Sequence, residues 1–324
     1  MDITRFISTN RKLLLVGFLL LILIFVATFP LYARQSQVRV LTVILMYVVL
    51  TVSWAMFSGT TGYMSLAPAA FFGLGIYTMA LLQDTLPFPV IIVVGSLICF
   101  VFALLVGLVT LRLRGIYFTI FTFGLVIFLT ELVQYLETRI WNRHGWDVTP
   151  IGNATILYTM FIVVVVTVLA IYFIRRSRYG LALLSIGGNE EAAEHMGINT
   201  TMTKVLYFAI SSMFMGAVGV VIAPNLIYVN ANIAFSLIWS FMPILMAIFG
   251  GMSQLSGPII GAVIFGYLEK TLRAQLFSYF MLGFGIIMVA VIVFLPTGII
   301  GLVPMLRGKL GGLMARLQKG EQGE

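Results

Sequence analysis

The sequence predicts an all-α polytopic membrane protein with about ten transmembrane helices (range 8–10), some discontinuous, and one short helix on a polar loop. Three observations carry this. The 324 residues are 61% hydrophobic and only 9% charged, against roughly a quarter charged in soluble domains. Apolar stretches of membrane-crossing length recur along the chain. Near the middle, residues 175–204, RRSRYGLALLSIGGNEEAAEHMGINTTMTK, form a run too charged for hydrocarbon.

Residues 1–12 form a polar start with Arg5, Arg11 and Lys12. The apolar run 13–31 exceeds the roughly 7–15 residues of a signal-peptide core, and no A-x-A cleavage site follows it, so it reads as a first span. Further spans are expected at 40–57, 66–82, 88–111, 115–136 and 155–174, then after the polar loop at 204–223, 237–252, 257–272 and 278–296. The single membrane domain thus covers 13–306, with a polar loop at 175–203 and a basic tail at 307–324.

Charge sets the orientation. With ten spans and a cytoplasmic N-terminus, 13 of the 19 Lys and Arg residues fall on inner segments and 6 on outer ones. That asymmetry puts both termini and the 175–203 loop in the cytoplasm. The net charge of +8 is accounted for in this way, and no nucleic-acid partner is inferred from it. The single Cys99 lies inside an apolar run and reads as a small buried hydrophobe.

Two spans make poor plain helices. Residues 58–77 place Gly59, Gly62, Pro68, Gly73 and Gly75 at membrane depth, and residues 250–267 do the same with Gly250, Gly251, Gly257, Pro258, Gly261 and Gly266. Broken helices of this kind tend to line a protein-enclosed pathway, while small residues equally serve close helix packing. The pathway candidates are Gly59, Gly62, Ser65, Pro68, Tyr117, Thr119, Thr122, Gly250, Gly251 and Pro258, with the intramembrane carboxylate Glu131. Glu131 lies about 24 Å from the inner end of its span at 1.5 Å per residue, near the outer interface. Glu269 is a weaker candidate at the end of the ninth span. In the outer loop 137–154, Trp141 and Trp146 read as interfacial anchors, and His144 beside Asp147 does not make a metal site.

No catalytic or metal-binding residues are assigned: the chain carries no G-x-x-x-x-G-K-[ST] loop, H-E-x-x-H, G-x-S-x-G or cysteine cluster. The polar loop holds a legible helix. Asn189 is a capping residue, Glu190 and Glu191 fall in a first turn where negative charge suits the helix dipole, and Gly197 is a natural terminator. Ala192, Ala193 and Met196 would form one small apolar face. A helix this short is marginal alone, so it should dock, either on a partner or on its own bundle.

Glu191-Ala192-Ala193-x-x-x-Gly197 resembles the cytoplasmic coupling loop of ABC-importer permeases. The wider run resembles the LivM-type branched-chain amino acid permease family, through Ser177, Arg178, Tyr179, Gly180, Ala182, Leu183, Ile186, Asn189, Glu190, Gly197, Ile198 and Lys204. The early glycine-rich segment, Leu113-Arg114-Gly115-x-Tyr117-Phe118 and the closing Phe294-Leu295-Pro296-x-Gly298-x-x-Gly301 follow the family pattern in order. Leu181 and Gly187 depart from it where members usually carry basic residues, and the outer loop reads RIWNRHGWD in place of a T-G-G-x-x-G element.

The resemblance implies a multi-pass permease subunit in the cell inner membrane. Its partners would be two cytoplasmic ATPase subunits, a second related permease or second copy, and an external substrate-binding protein. ATP and Mg would be bound by the ATPases and no cofactor by this chain. The implied substrates are branched-chain or other hydrophobic amino acids, with urea and short amides as the alternative. A self-sufficient secondary transporter or channel is the rival class, with Glu131 its available ion-coupling residue.

Overall fold

A computed structural model describes residues 28–113, 115–252 and 254–275, together with 282, 285, 286, 289 and 298–300. The start at 1–12, most of the expected first and tenth spans, and the 307–324 tail lie outside the described residues.

The membrane helices begin and end where local chemistry permits. α1 (Gln35–Thr61) stops at Gly62, whose φ of 75° suits a residue without a Cβ. A non-helical stretch, 62–67, leads into α2 (Pro68–Leu82), with a proline at its first position, where no backbone N–H is needed. α3 (Phe88–Thr110), α4 (Ile116–Arg139) and α5 (Asn153–Arg176) follow as long apolar helices. The polar loop contains two helices, α6 (Arg178–Gly188) and α7 (Glu190–His195). The chain then re-enters as α8 (Thr200–Leu226), makes the one-turn α9 (Ala231–Ala234), and continues through α10 (Ile238–Gly250) and α11 (Ser256–Gln275).

Among the described residues, six helical stretches are long and apolar enough to cross a membrane: α1, α3, α4, α5, α8 and the run from α9 through α10. Eight of the ten expected spans fall on described residues, and the two not among these six are α2 and α11. α2 has 15 residues, and the second half of α11 carries Glu269, Lys270 and Arg273.

α8 is the centre. It packs most extensively on α3 and α2, then on α1. In its most apolar stretch 83% is buried, against 28% in α5, which offers much of its surface to its surroundings. Glycines set how closely the central helices cross. A Cβ on Gly75 would strike the Gly216 carbonyl, one on Gly219 the Phe72 carbonyl, and one on Gly216 the Cys99 thiol. Cys99 is fully buried, and its Sγ donates to the Phe71 carbonyl at 3.3 Å. Gly250, Gly257 and Gly261 likewise bring the α10 and α11 backbones into direct contact.

A two-residue strand, β1 (Trp146–Asp147), pairs antiparallel with β2 (Tyr228–Val229), tying the loop after α4 to the loop after α8. α8 begins beside α7 and ends at β2, and its 27 residues put about 40 Å between the two ends at 1.5 Å per residue. The bundle therefore has an α6–α7 end and a strand end. Asn153 Nδ2, at the start of α5, donates to Gln35 Oε1 at the start of α1 (2.7 Å), which places both at the strand end.

Gly75→Ala should push α2 off α8 and destabilise the purified protein by about 1–3 kcal/mol, the usual cost of overpacking. A Cβ added to Gly124 on α4 would meet nothing within 4 Å, so Gly124→Ala should leave the thermal midpoint in detergent unchanged or slightly raised. Equal midpoints for the two variants would contradict the close crossing.

Candidate functional site

The non-helical stretch 62–67 presents backbone groups inside an apolar bundle, where each unpaired one costs free energy. Side chains from three helices supply the partners. From α1, Trp54 Nε1 donates to the Ser65 carbonyl at 2.8 Å, while Thr61 Oγ1 and Ser58 Oγ accept from the Tyr63 and Ser65 amides at 3.3 Å each. From α4, Thr119 Oγ1 donates to the Met64 carbonyl at 2.8 Å and Thr122 Oγ1 accepts from the Leu66 amide at 2.9 Å. From α10, Ser240 Oγ donates to the Leu66 carbonyl at 2.8 Å and accepts from the Ala69 amide at 2.9 Å. The Ala67 amide donates to Ser65 Oγ at 3.3 Å. The break after α1 is thus a junction that holds α1, α2, α4 and α10 in register.

The second component joins this junction to the polar loop. Lys204, on the first turns of α8, is only 2% exposed. Its Nζ lies 2.5 Å from Glu190 Oε1 and donates to the Tyr63 hydroxyl at 3.2 Å. The Tyr63 hydroxyl in turn donates to Glu190 Oε2 at 2.5 Å, and the Lys204 ammonium sits over the Tyr63 ring, 4.5 Å from its centroid. A buried cation is tolerated when paired and hydrogen-bonded. One carboxylate on α7, one ammonium on α8 and one phenol on the non-helical stretch therefore form a closed triad.

The caps of α7 match the sequence reading. Asn189 Oδ1 accepts from the Ala192 amide at 3.1 Å. At the other end the Gly197 amide donates to the Glu194 carbonyl (2.9 Å) and the Ile198 amide to the Ala193 carbonyl (3.1 Å). With Gly197 at φ 83°, this is a Schellman terminator. The expected apolar face is corrected. Ala193 is fully buried, whereas Met196 is 68% exposed and Ala192 is exposed as well. Ala192 and Ala193 are adjacent in the chain and point different ways, and Met196, at the C-cap, lies on the exposed side with Ala192. Glu190 faces inward, while Glu191 lies on the exposed side.

α6 was not anticipated as a helix, although Ser177 signals it: its Oγ accepts from the Gly180 amide at 3.3 Å. Leu183 and Ile186 are buried, and Tyr179, Leu181 and Leu184 are exposed. A Cβ on Gly187 would run into the Thr60 carbonyl. This position is where α6 crosses the end of α1, and a longer side chain has no room in the crossing.

The pathway candidates separate into three groups. Ser65, Thr119 and Thr122 belong to the junction, and Gly62 opens it. Gly59 faces Met252, its added Cβ lying 3.3 Å from the Met252 Cβ, so the two glycine-rich regions touch there; Gly250 and Gly251 lie beside the α10–α11 crossing that Pro258 enters. Tyr117 and Glu131 lie on an exposed stripe of α4 that includes Gly124 and Phe128. Between Ser65, Pro68, Phe208 and Met215 no volume is open to a water-sized sphere (≈ 0 Å³). One buried carboxylate was missed: Glu137, 3% exposed, accepts from the Tyr77 hydroxyl at 2.7 Å. Among the described residues, no group of His, Cys, Asp and Glu is arranged to hold a metal ion.

Comparison with known proteins adds to this geometry. The family model for the branched-chain amino acid transport system permease component matches residues 36–292. The high-affinity branched-chain amino acid transport system permease protein LivM of Salmonella typhimurium is 26% identical over 94% of this chain and 78% of its own length. The nucleoside ABC transporter permease protein NupC of Lactococcus lactis is 27% identical over 54% of this chain and 60% of its own. The ribose import permease protein RbsC of Haemophilus influenzae is 27% identical over 38% and 40% respectively. No solved structure matches.

Lys204→Met should leave the partly buried Glu190 carboxylate, 16% exposed, without its cation and cost about 1–3 kcal/mol. Adding Glu190→Gln should recover most of that loss. Thermal midpoints of the purified variants, with trypsin cleavage in the α6–α7 loop as a second readout, check this. A neutral Lys204→Met would contradict a buried pair.

Proposed function

Because the chain belongs to the family of branched-chain amino acid transport system permease components, we propose that it is the membrane-spanning subunit of an ATP-driven importer for branched-chain or other hydrophobic amino acids. The observation that carries this is the Glu190–Lys204–Tyr63 triad, which connects an exposed helix face to a break inside the bundle. Two cytoplasmic ATPase subunits would press on the outward side of α7, formed by Glu191, Ala192 and Met196. Gly197 lets the chain turn sharply into α8, and the triad fixes α7 both to the start of α8 and to the non-helical stretch 62–67. Displacement of α7 would then move the junction, and through Thr119, Thr122 and Ser240 it would move α4 and α10. ATP and Mg are bound by the ATPase subunits in this reading, and the permease itself performs no covalent chemistry.

The exposed stripe of α4 is assigned to the partner side. A second permease or second copy would cover the exposed Tyr117 and Phe128 of this face and enclose the pathway beside Tyr117 and Glu131. An external binding protein would deliver substrate at the strand end. The protein would sit in the inner membrane with both termini cytoplasmic, in keeping with the basic-residue asymmetry. Similarity along nearly the whole chain to LivM supports hydrophobic amino acids over the sugar and nucleoside permeases, which match only part of it. The buried Glu137 and Glu269 favour a second reading, an ATP-independent transporter coupled to an ion.

Affinity purification of the tagged protein from its own cells should recover an ATPase subunit, and its absence would overturn the importer reading. Met196→Asp and Ala192→Arg alter exposed positions, so both variants should insert and keep the wild-type thermal midpoint. Leucine uptake and stimulated ATP hydrolysis should fall by about tenfold or more, equivalent to roughly 1.4 kcal/mol of lost contact. Unchanged uptake would remove α7 from coupling, and uptake that survives loss of the ATPase would select the second reading.

A further inference from the structure

At the strand end, away from the triad, α1 and α11 enclose a groove of ≈ 680 Å³ that the proposed mechanism does not use. Its charged lining is Arg39 from α1 with Glu269 and Lys270 from α11. Glu269 is only 6% exposed. Gln35 and Ser36 line its rim at the start of α1, and the deeper lining is apolar: Val40, Val43 and Tyr47 from α1, with Trp239 from α10 packed against Tyr47 at a ring-centroid distance of 6.4 Å.

The arrangement has a direction. Arg39 lies one turn inside the start of α1, and Val40, Val43 and Tyr47 run down one helical face below it, reaching about 12 Å deeper at 1.5 Å per residue. The surface flanking the groove on α11 exposes Ile260, Val263 and Ile264, which is the kind of surface that faces acyl chains. A ligand here has a charged head near the membrane boundary and an apolar body below it. Two cations at that level suit a phosphate. A carboxylate among them disfavours a purely anionic head and suits one that also carries an ammonium. A carboxylate accepts several hydrogen bonds at once, so Glu269 can take an ammonium while keeping its protein contacts.

We propose that this groove binds an aminophospholipid of the phosphatidylethanolamine type from the leaflet opposite the α7 loop. The phosphate lies on Arg39 and Lys270, the ammonium faces Glu269, and an acyl chain runs along Val40, Val43 and Tyr47. The lipid adds to the direct packing of α1 on α11, where Gly266 lies against Ile44 and Tyr47.

Native mass spectrometry of the full chain released from nanodiscs of equal phosphatidylethanolamine and phosphatidylglycerol tests this. Phosphatidylethanolamine should be retained over phosphatidylglycerol. Arg39→Gln and Lys270→Gln should each lower retention about fivefold, the effect of one basic residue at a membrane surface. Val43→Trp, which fills the groove without touching a charge, should abolish retention, and Gly124→Ala should not change it. Four results would overturn the proposal: no retained phosphatidylethanolamine, equal retention by Val43→Trp, a preference for phosphatidylglycerol, or displacement of the lipid by free leucine, which would assign the groove to substrate.

Discussion

Backbone left out of a helix in an apolar bundle must be hydrogen-bonded from elsewhere in the protein. In this chain that constraint falls on residues 62–67, and the response to it organises the centre of the molecule. Trp54, Thr119, Thr122 and Ser240 are spent on the stretch's carbonyls and amides. Helices that would otherwise touch only through apolar side chains are thereby fixed to one segment. Close glycine crossings between α2 and α8 and between α10 and α11 do the remaining alignment by contact.

The same stretch is where a signal from the loop can enter. Tyr63 lies inside the junction, yet its hydroxyl belongs to a triad with Glu190 and Lys204. Lys204 is buried and Glu190 partly so, and separating them would leave the Lys204 ammonium without its partner in an apolar surrounding, at a cost of a few kcal/mol. A short helix with one buried residue, Ala193, has little packing to hold it. The ion pair and the caps supply what packing does not, and they leave the opposite face of α7 open for a partner. An exposed face on a rigidly anchored helix is what transmission of force requires, and it ties the structural reading to membership of a transporter permease family.

Features set by neighbouring residues were legible in the sequence. Asn189 and Gly197 act within one turn of themselves, and both cap α7 as their chemistry requires. The apolar runs located the helices because hydrophobicity over some 20 residues is a strong local signal. Features set by tertiary partners were not legible. Nothing near Glu190 distinguishes it from Glu191, yet one faces Lys204 and Tyr63 and the other lies on the exposed side. Thr119 and Thr122 were read as pathway candidates and bond the backbone after α1, because sequence cannot separate a threonine that lines a pathway from one that satisfies a broken backbone. Glycines carry the same ambiguity, and Gly187 becomes intelligible only once the Thr60 carbonyl is seen against it. Glu137 escaped notice because it follows an apolar run and looks like the start of a loop, while its partner Tyr77 is distant in the chain. The paired strands are two residues each, too short to show a period.

The central claim is that α7 and the stretch after α1 move as one body. Spin labels on Met64→Cys and His195→Cys, in a Cys99→Ser background of the assembled transporter, report the distance between them by pulsed electron resonance with and without bound ATP. The distance between these two labels should stay unchanged, while a pair joining α7 to the strand end changes. A Met64–His195 distance that shifts with nucleotide would contradict the claim, because the triad would then be opening during the cycle instead of transmitting it.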